Sequence, residues 1–172
     1  KDPQVLGLGF AITRDFIAFL RSGKADDAGN ANPAGQNIRW TVGAGSSQSG
    51  NFLRSFLNLG FNQAVDGAQV FDGVHANIAA RQIVLNVRFG VPGGGARAYE
   101  PGSEGTLWWG RYADKTRKLG TTSLLDSCSA TKTCPKIVET LGSAEFWGLR
   151  ASPNFVGTDA KSDIPLPANV RR

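Results

Sequence analysis

The segment Ile38-Arg39-Trp40-Thr41-Val42 is short, β-branched and aromatic, and it runs without a break into Gly43-Ala44-Gly45-Ser46-Ser47-Gln48-Ser49-Gly50. The first part reads as a strand and the second as a tight turn of small residues. Phe52, Leu53, Phe56, Leu57 and Leu59 then recur at helical spacing as far as Gly60, which predicts an amphipathic helix. Strand, glycine-serine corner and helix in direct succession constrain the fold more than composition does. The helix must lie back over a sheet to bury its apolar stripe.

The remaining segments extend that unit. Leu8, Ile12, Phe16, Phe19 and Leu20 predict a helix from Gly7 to Arg21, ended by Gly23. Lys24 to Asn37, rich in Gly, Asn and Asp, reads as a surface loop. Further strands are expected at Gly67 to Phe71, ended by Asp72-Gly73, and at Lys136 to Leu141, between Pro135 and Gly142. Strands separated by helical or long segments imply an α/β fold, with a parallel sheet covered on both faces by helices. Gly90 to Thr122, holding three consecutive glycines and the pair Trp108-Trp109, reads as an irregular insertion, a lid or a pocket wall. With 172 residues, 41% hydrophobic and 19% charged, the chain is expected to form one globular domain over 1–172.

Several function classes are set aside. The longest uncharged apolar stretches, Val5 to Ile12 and Phe16 to Leu20, are far shorter than a membrane helix, so a soluble protein with no membrane partner is expected. The net charge is +5, but the 19 basic residues are dispersed, and the one tight cluster, Lys115, Arg117 and Lys118, reads as a solvated loop and not a nucleic-acid surface. Cys128 and Cys134 sit in a polar stretch that reads as a loop; a disulfide there would indicate an exported protein, periplasmic or secreted, and two reduced thiols a cytosolic one. His75, the only histidine, is too distant in sequence to complete a zinc site with them, so no metal is expected. A chain that opens on Lys1 and contains no Met is expected to be an excised piece.

The corner itself carries the chemistry. A nucleophile elbow holds its serine in a strained turn between strand and helix, and small residues on either side let the two elements approach. Ser47 is the best placed serine, with Gly45 two before and Ser49 two after, although Ser49 stands where the usual pattern has glycine. Two other readings compete. Gly43-Ala44-Gly45 resembles the start of a dinucleotide loop, but Gln48 occupies its last small position and no acidic residue follows at the required distance. The corner could equally be a plain packing turn in a non-catalytic α/β binding module, with the Trp108-Trp109 region as its binding surface. No phosphate-binding Gly-Lys-Ser/Thr is present, and no cofactor is expected.

Gly45 to Arg54 (GSSQSGNFLR) resembles the group of large bacterial α/β-hydrolase-domain proteins with a G-x-S-Q-S-G elbow. So do Gly9 to Phe16, Phe71 to His75, Ser143-Ala-Glu-Phe-Trp147 and Leu166 to Arg171. The resemblance implies a partial α/β-hydrolase fold truncated at both ends, and a serine hydrolase acting on small-molecule carboxylic esters. Ser47 would be the nucleophile, and the backbone N–H of Gln48 one oxyanion donor. Glu145, just beyond the strand Lys136 to Leu141, would be the triad acid. Asp72 is the competing acid, His75 a residue that could line the pocket, and Glu139 a structural partner within its strand. His75 precedes Glu145 and so breaks the Ser, acid, His order. The resemblance therefore implies a catalytic histidine after a final strand, outside this chain, and a second oxyanion donor before it.

Overall fold

The computed structural model describes residues 7–35, 37–79, 105–149 and 151–172. Helix α1 (Leu8–Ser22) is followed by β1 (Val42–Ser46), α2 (Gln48–Asn58) and β2 (Gly73–Asn77). A small antiparallel hairpin, β3 (Tyr112–Asp114) and β4 (Gly120–Thr122), leads to α3 (Asp126–Thr131) and β5 (Lys136–Thr140). Two short helices, α4 (Ser143–Trp147) and α5 (Pro153–Val156), precede β6 (Val170–Arg171). The main sheet has the order β1-β2-β5-β6, and every neighbouring pair is parallel. The C-terminal ends of β1, β2 and β5 therefore share one edge, with Ser46, Asn77 and Thr140 in register.

Helix α2 covers one face of that sheet. Its Leu53, Phe56 and Leu57 are buried with Val74 of β2, Ile137 of β5 and Val170 of β6 in a single apolar core. Phe10 brings α1 into the same core by stacking on Phe52 and Phe61, with ring centroids 4.6 and 5.4 Å away. Trp109 is buried there too, while Trp108 is buried in a second cluster with Leu107 and Ile164. The two tryptophans are thus core residues and cannot form the exposed binding surface expected of the irregular insertion. The part of that insertion before Gly105 lies outside the described residues. The sheet is parallel with flanking helices, as expected. The opposite face carries Val42 and Val138, 66% and 48% exposed.

Two strands begin later than the sequence suggests. Pairing on β1 starts only where the N–H groups of Asp72 and Gly73 reach the carbonyl of Thr41, so Ile38 to Trp40 lies outside the strand. The segment 67–71 is not a strand because Asn62 closes it as a loop. Its side chain accepts from the Phe71 N–H at 2.9 Å and donates to the Phe71 carbonyl at 3.0 Å. The polar stretch around the cysteines includes the short helix α3, which holds Cys128, and Cys128 is bonded to Cys134 with their Cα atoms 4.8 Å apart. No helix among the described residues is long and apolar enough to cross a membrane.

Candidate active site

Ser47 is the residue between β1 and α2, and its backbone sits at φ 53°, ψ −118°. A non-glycine residue rarely adopts this geometry, and it persists only where the surroundings hold it. Here its N–H donates to the Asn77 carbonyl at 2.9 Å, continuing the ladder with β2, while its carbonyl accepts the Asn51 N–H at 2.9 Å as the first turn of α2. Two glycines make room for the reversal. A β-carbon on Gly45 would stand 2.5 Å from the backbone of Ser49, and one on Gly50 would stand 2.6 Å from Ala79 Cβ. The second small position is therefore Gly50, three residues after the serine, and not Ser49, whose side chain is exposed. Serine in place of the usual glycine at position 49 is accommodated because its side chain is exposed, while the close side-chain contact with the segment after β2 falls at Gly50.

Ser46 and Ser47 are separated by the same geometry. Ser46 is the last residue of β1, and its Oγ accepts from Asn77 Nδ2 at 2.8 Å. Ser47 is exposed at the C-terminal edge of the sheet. Gln48 is the first residue of α2, where a backbone N–H has no acceptor within the helix and the helix dipole favours negative charge.

Glu145 lies beyond the same edge, on α4 after β5. It is 6% exposed, and its Oε2 accepts the Gly142 N–H at 2.6 Å, a cap on the start of α4 that fixes the carboxylate. With β2 between β1 and β5, Ser47 and Glu145 stand two strands apart along one edge.

Asp72 is elsewhere. Because β2 starts at Gly73, Asp72 precedes the strand and lies at the opposite edge from Ser47. It pairs with Arg21 through both oxygens, at 2.8 and 3.1 Å, and accepts the Thr41 N–H at 2.9 Å. Partial burial pushes its carboxyl upward, but the Thr41 N–H and the Arg21 guanidinium together outweigh this and hold it below the ordinary aspartate value. It ties α1 to the sheet, at the edge away from Ser47.

His75 is in the middle of β2, on the less covered face, with Nε2 3.0 Å from Thr140 Oγ1. The Thr140 hydroxyl donates in turn to Asn77 Oδ1 at 2.7 Å, which makes His75 Nε2 the donor to Thr140. The histidine is joined to Ser46 through this row of side chains, while no hydrogen bond links it directly to Ser47. It is a strand residue, whereas the strand expected at Gly67 to Phe71 would have ended before it.

Sequence reasoning gave no role to Arg54, although it closes the most specific motif. Arg54 is fully buried on α2, donates to Glu139 Oε1 at 2.6 Å and to the Ala79 carbonyl at 2.9 Å, and lies 5.1 Å from the centroid of Trp109. It also donates to the Leu107 carbonyl. Glu139, expected as a structural partner, binds Arg172 as well, at 2.6 Å. Burial pushes the Arg54 guanidinium downward, the Glu139 charge opposes this, and the Arg172 charge adds to it. The signal was available. Arg54 adjoins Leu53 and falls on the buried side of α2, and Glu139 takes an inward place in the alternation of β5. No group of three His, Cys, Asp or Glu side chains that could hold a metal occurs among the described residues.

A parallel sheet whose strand reverses through a strained serine into a helix, with a carboxylate held two strands away on the same edge, defines the α/β-hydrolase class of fold. The chain belongs to that family: the profile described as alpha/beta hydrolase domain matches residues 3–160. No curated protein and no solved structure matches it.

Proposed function

We propose that this chain carries the nucleophile and the acid of a serine hydrolase that cleaves small-molecule carboxylic esters. The observation that carries the reading is the backbone of Ser47, held at φ 53° by hydrogen bonds on both sides and exposed at the strand ends. Strain of this kind is maintained against the cost of folding where it aims a reactive group. A histidine supplied from outside the chain takes the proton from Ser47 Oγ as the oxygen attacks the ester carbonyl carbon. The carbonyl oxygen becomes an oxyanion facing the Gln48 N–H. Collapse of this intermediate breaks the bond to the alcohol, which leaves with the proton held by the imidazole. Water then attacks the acyl-serine by the same route, releasing the carboxylic acid and restoring Ser47. Glu145 orients the imidazole and stabilises its positive charge.

In the full-length protein, a fluorophosphonate probe is expected to label Ser47, and Ser47→Ala to lower p-nitrophenyl ester hydrolysis by at least about 10⁴-fold. Hydrolysis unchanged in Ser47→Ala would end the reading. The 172 residues alone are expected to show little turnover, because a serine without its base loses most of its activation. Robust hydrolysis by them that His75→Ala abolished would show that the base had been misassigned. The Cys128–Cys134 bond fits an exported protein, periplasmic or secreted.

A further inference from the structure

We propose that Ile78 is a positioning residue, the apolar floor on which the imidazole that bridges Ser47 and Glu145 rests. The inference builds on the serine-hydrolase reading. Neighbouring strands lie about 4.8 Å apart, so the ends of β1 and β5 are separated by about 10 Å. An imidazole that accepts from a serine hydroxyl and donates to a carboxylate spans roughly 7 to 8 Å between the two oxygens. Such a ring must cross the end of the strand between them, which is β2, and the first residue beyond β2 is Ile78.

The backbone there is fixed from three directions. The Ile78 N–H donates to the Thr140 carbonyl at 2.7 Å, the preceding carbonyl of Asn77 accepts the Ser47 N–H, and the following carbonyl of Ala79 accepts from Arg54. Under these constraints Ile78 adopts φ 42°, a conformation that glycine would take freely and that a β-branched side chain resists. Among the described residues, packing accounts for only part of the choice of isoleucine. Val74, Ala76 and Ala79 around it are buried at 3% or less, whereas Ile78 is 38% exposed. Its Cγ2 lies 4.0 Å from where a β-carbon on Gly142 would stand, and Gly142 is the residue whose N–H holds the Glu145 carboxylate. Ile78 is thus an exposed apolar side chain in a strained backbone, with the Ser47 amide on one side and the anchor of Glu145 on the other. An apolar floor there confines the ring to the plane of its two hydrogen bonds and offers it no competing partner.

The test uses free imidazole on the 172-residue chain with its isoleucine methyl groups labelled for NMR, Ile78 being assigned by its loss in Ile78→Val. The Ile78 methyl signals are expected to move saturably with imidazole and further than those of Ile12, which is 64% exposed on α1. Glu145→Gln is expected to weaken the titration about tenfold, the effect of losing a hydrogen bond to a charged acceptor. Ile78→Val should keep the affinity and Ile78→Gly should lose it, both reported by the Gly142 amide. Glycine suits this backbone, so that loss would not reflect unfolding. Ile78 methyls that move no further than those of Ile12, or affinity indifferent to Glu145→Gln and Ile78→Gly, would overturn the proposal. Ester turnover indifferent to Ser47→Ala in the full-length protein would instead remove the serine-hydrolase reading, and the imidazole titration would still decide whether the seat exists.

Discussion

Gly50 and Ala79 meet so closely that a β-carbon on the glycine would stand 2.6 Å from Ala79 Cβ, with the Gly45 and Asn77 carbonyl oxygens at 2.9 and 3.0 Å. Helix α2 can start beside the ends of β1 and β2 only because position 50 has no side chain. Ala79 belongs to the segment that Arg54 holds from the same helix. The reversal at Ser47 is thus secured at the first and second turns of α2.

Gly50→Ala is expected to lower unfolding stability by about 1 to 3 kcal/mol, the usual range for forcing a methyl into a packed contact. Gly9→Ala is the control. It lies on α1 with nothing within 4 Å of the added carbon, and should stabilise by about 0.5 to 1 kcal/mol through helix propensity alone. Urea unfolding of the two variants measures both, and a Gly50→Ala protein as stable as the wild type would contradict the close approach.

The buried pair Arg54 and Glu139 should behave asymmetrically. Glu139→Leu leaves a guanidinium without its carboxylate in the core and is expected to cost about 3 to 5 kcal/mol. Arg54→Met with Glu139→Leu removes both charges and should recover a large part of that loss, since Arg172 is partly solvent-exposed and can turn outward. Equal destabilisation in the single and the double variant, read from urea midpoints, would mean that the pair is not coupled.

Asp72 should make stability depend on acid. Its folded-state carboxyl is held below the ordinary value near 3.9, so the stabilisation is fully present above about pH 4 and is lost as the pH falls through the depressed folded value. Asp72→Asn is expected to cost about 1 to 2 kcal/mol at pH 7, from the bonds to Arg21 and Thr41. The gap between wild-type and variant melting temperatures should narrow steadily from pH 4 downward. A gap that stays constant to pH 2 would show that the carboxylate charge contributes nothing.

The sequence alone was enough to place helix, corner and helix. The stripe Leu8, Ile12, Phe16, Phe19 and Leu20, the run from Phe52 to Leu59 and the strand after Pro135 depend on local periodicity, which is visible in one dimension. Strand starts were not visible. Those of β1 and β2 depend on which backbone groups face each other, and Asn62, far from both in pattern, decided where β2 begins by closing residues 67–71 into a loop. That shift moved Asp72 to the wrong edge for chemistry and His75 into the middle of a strand. The serine and the glutamate proposed as nucleophile and acid were picked out from their places beside the corner and after the strand at 136. Only tertiary structure decided that Gly50 supplies the small contact, that Trp108 and Trp109 are core, and that Ile78 lies between Ser47 and the anchor of Glu145. Each of these rests on a contact between residues brought together by parallel strand pairing, and such contacts leave no periodic trace along the chain.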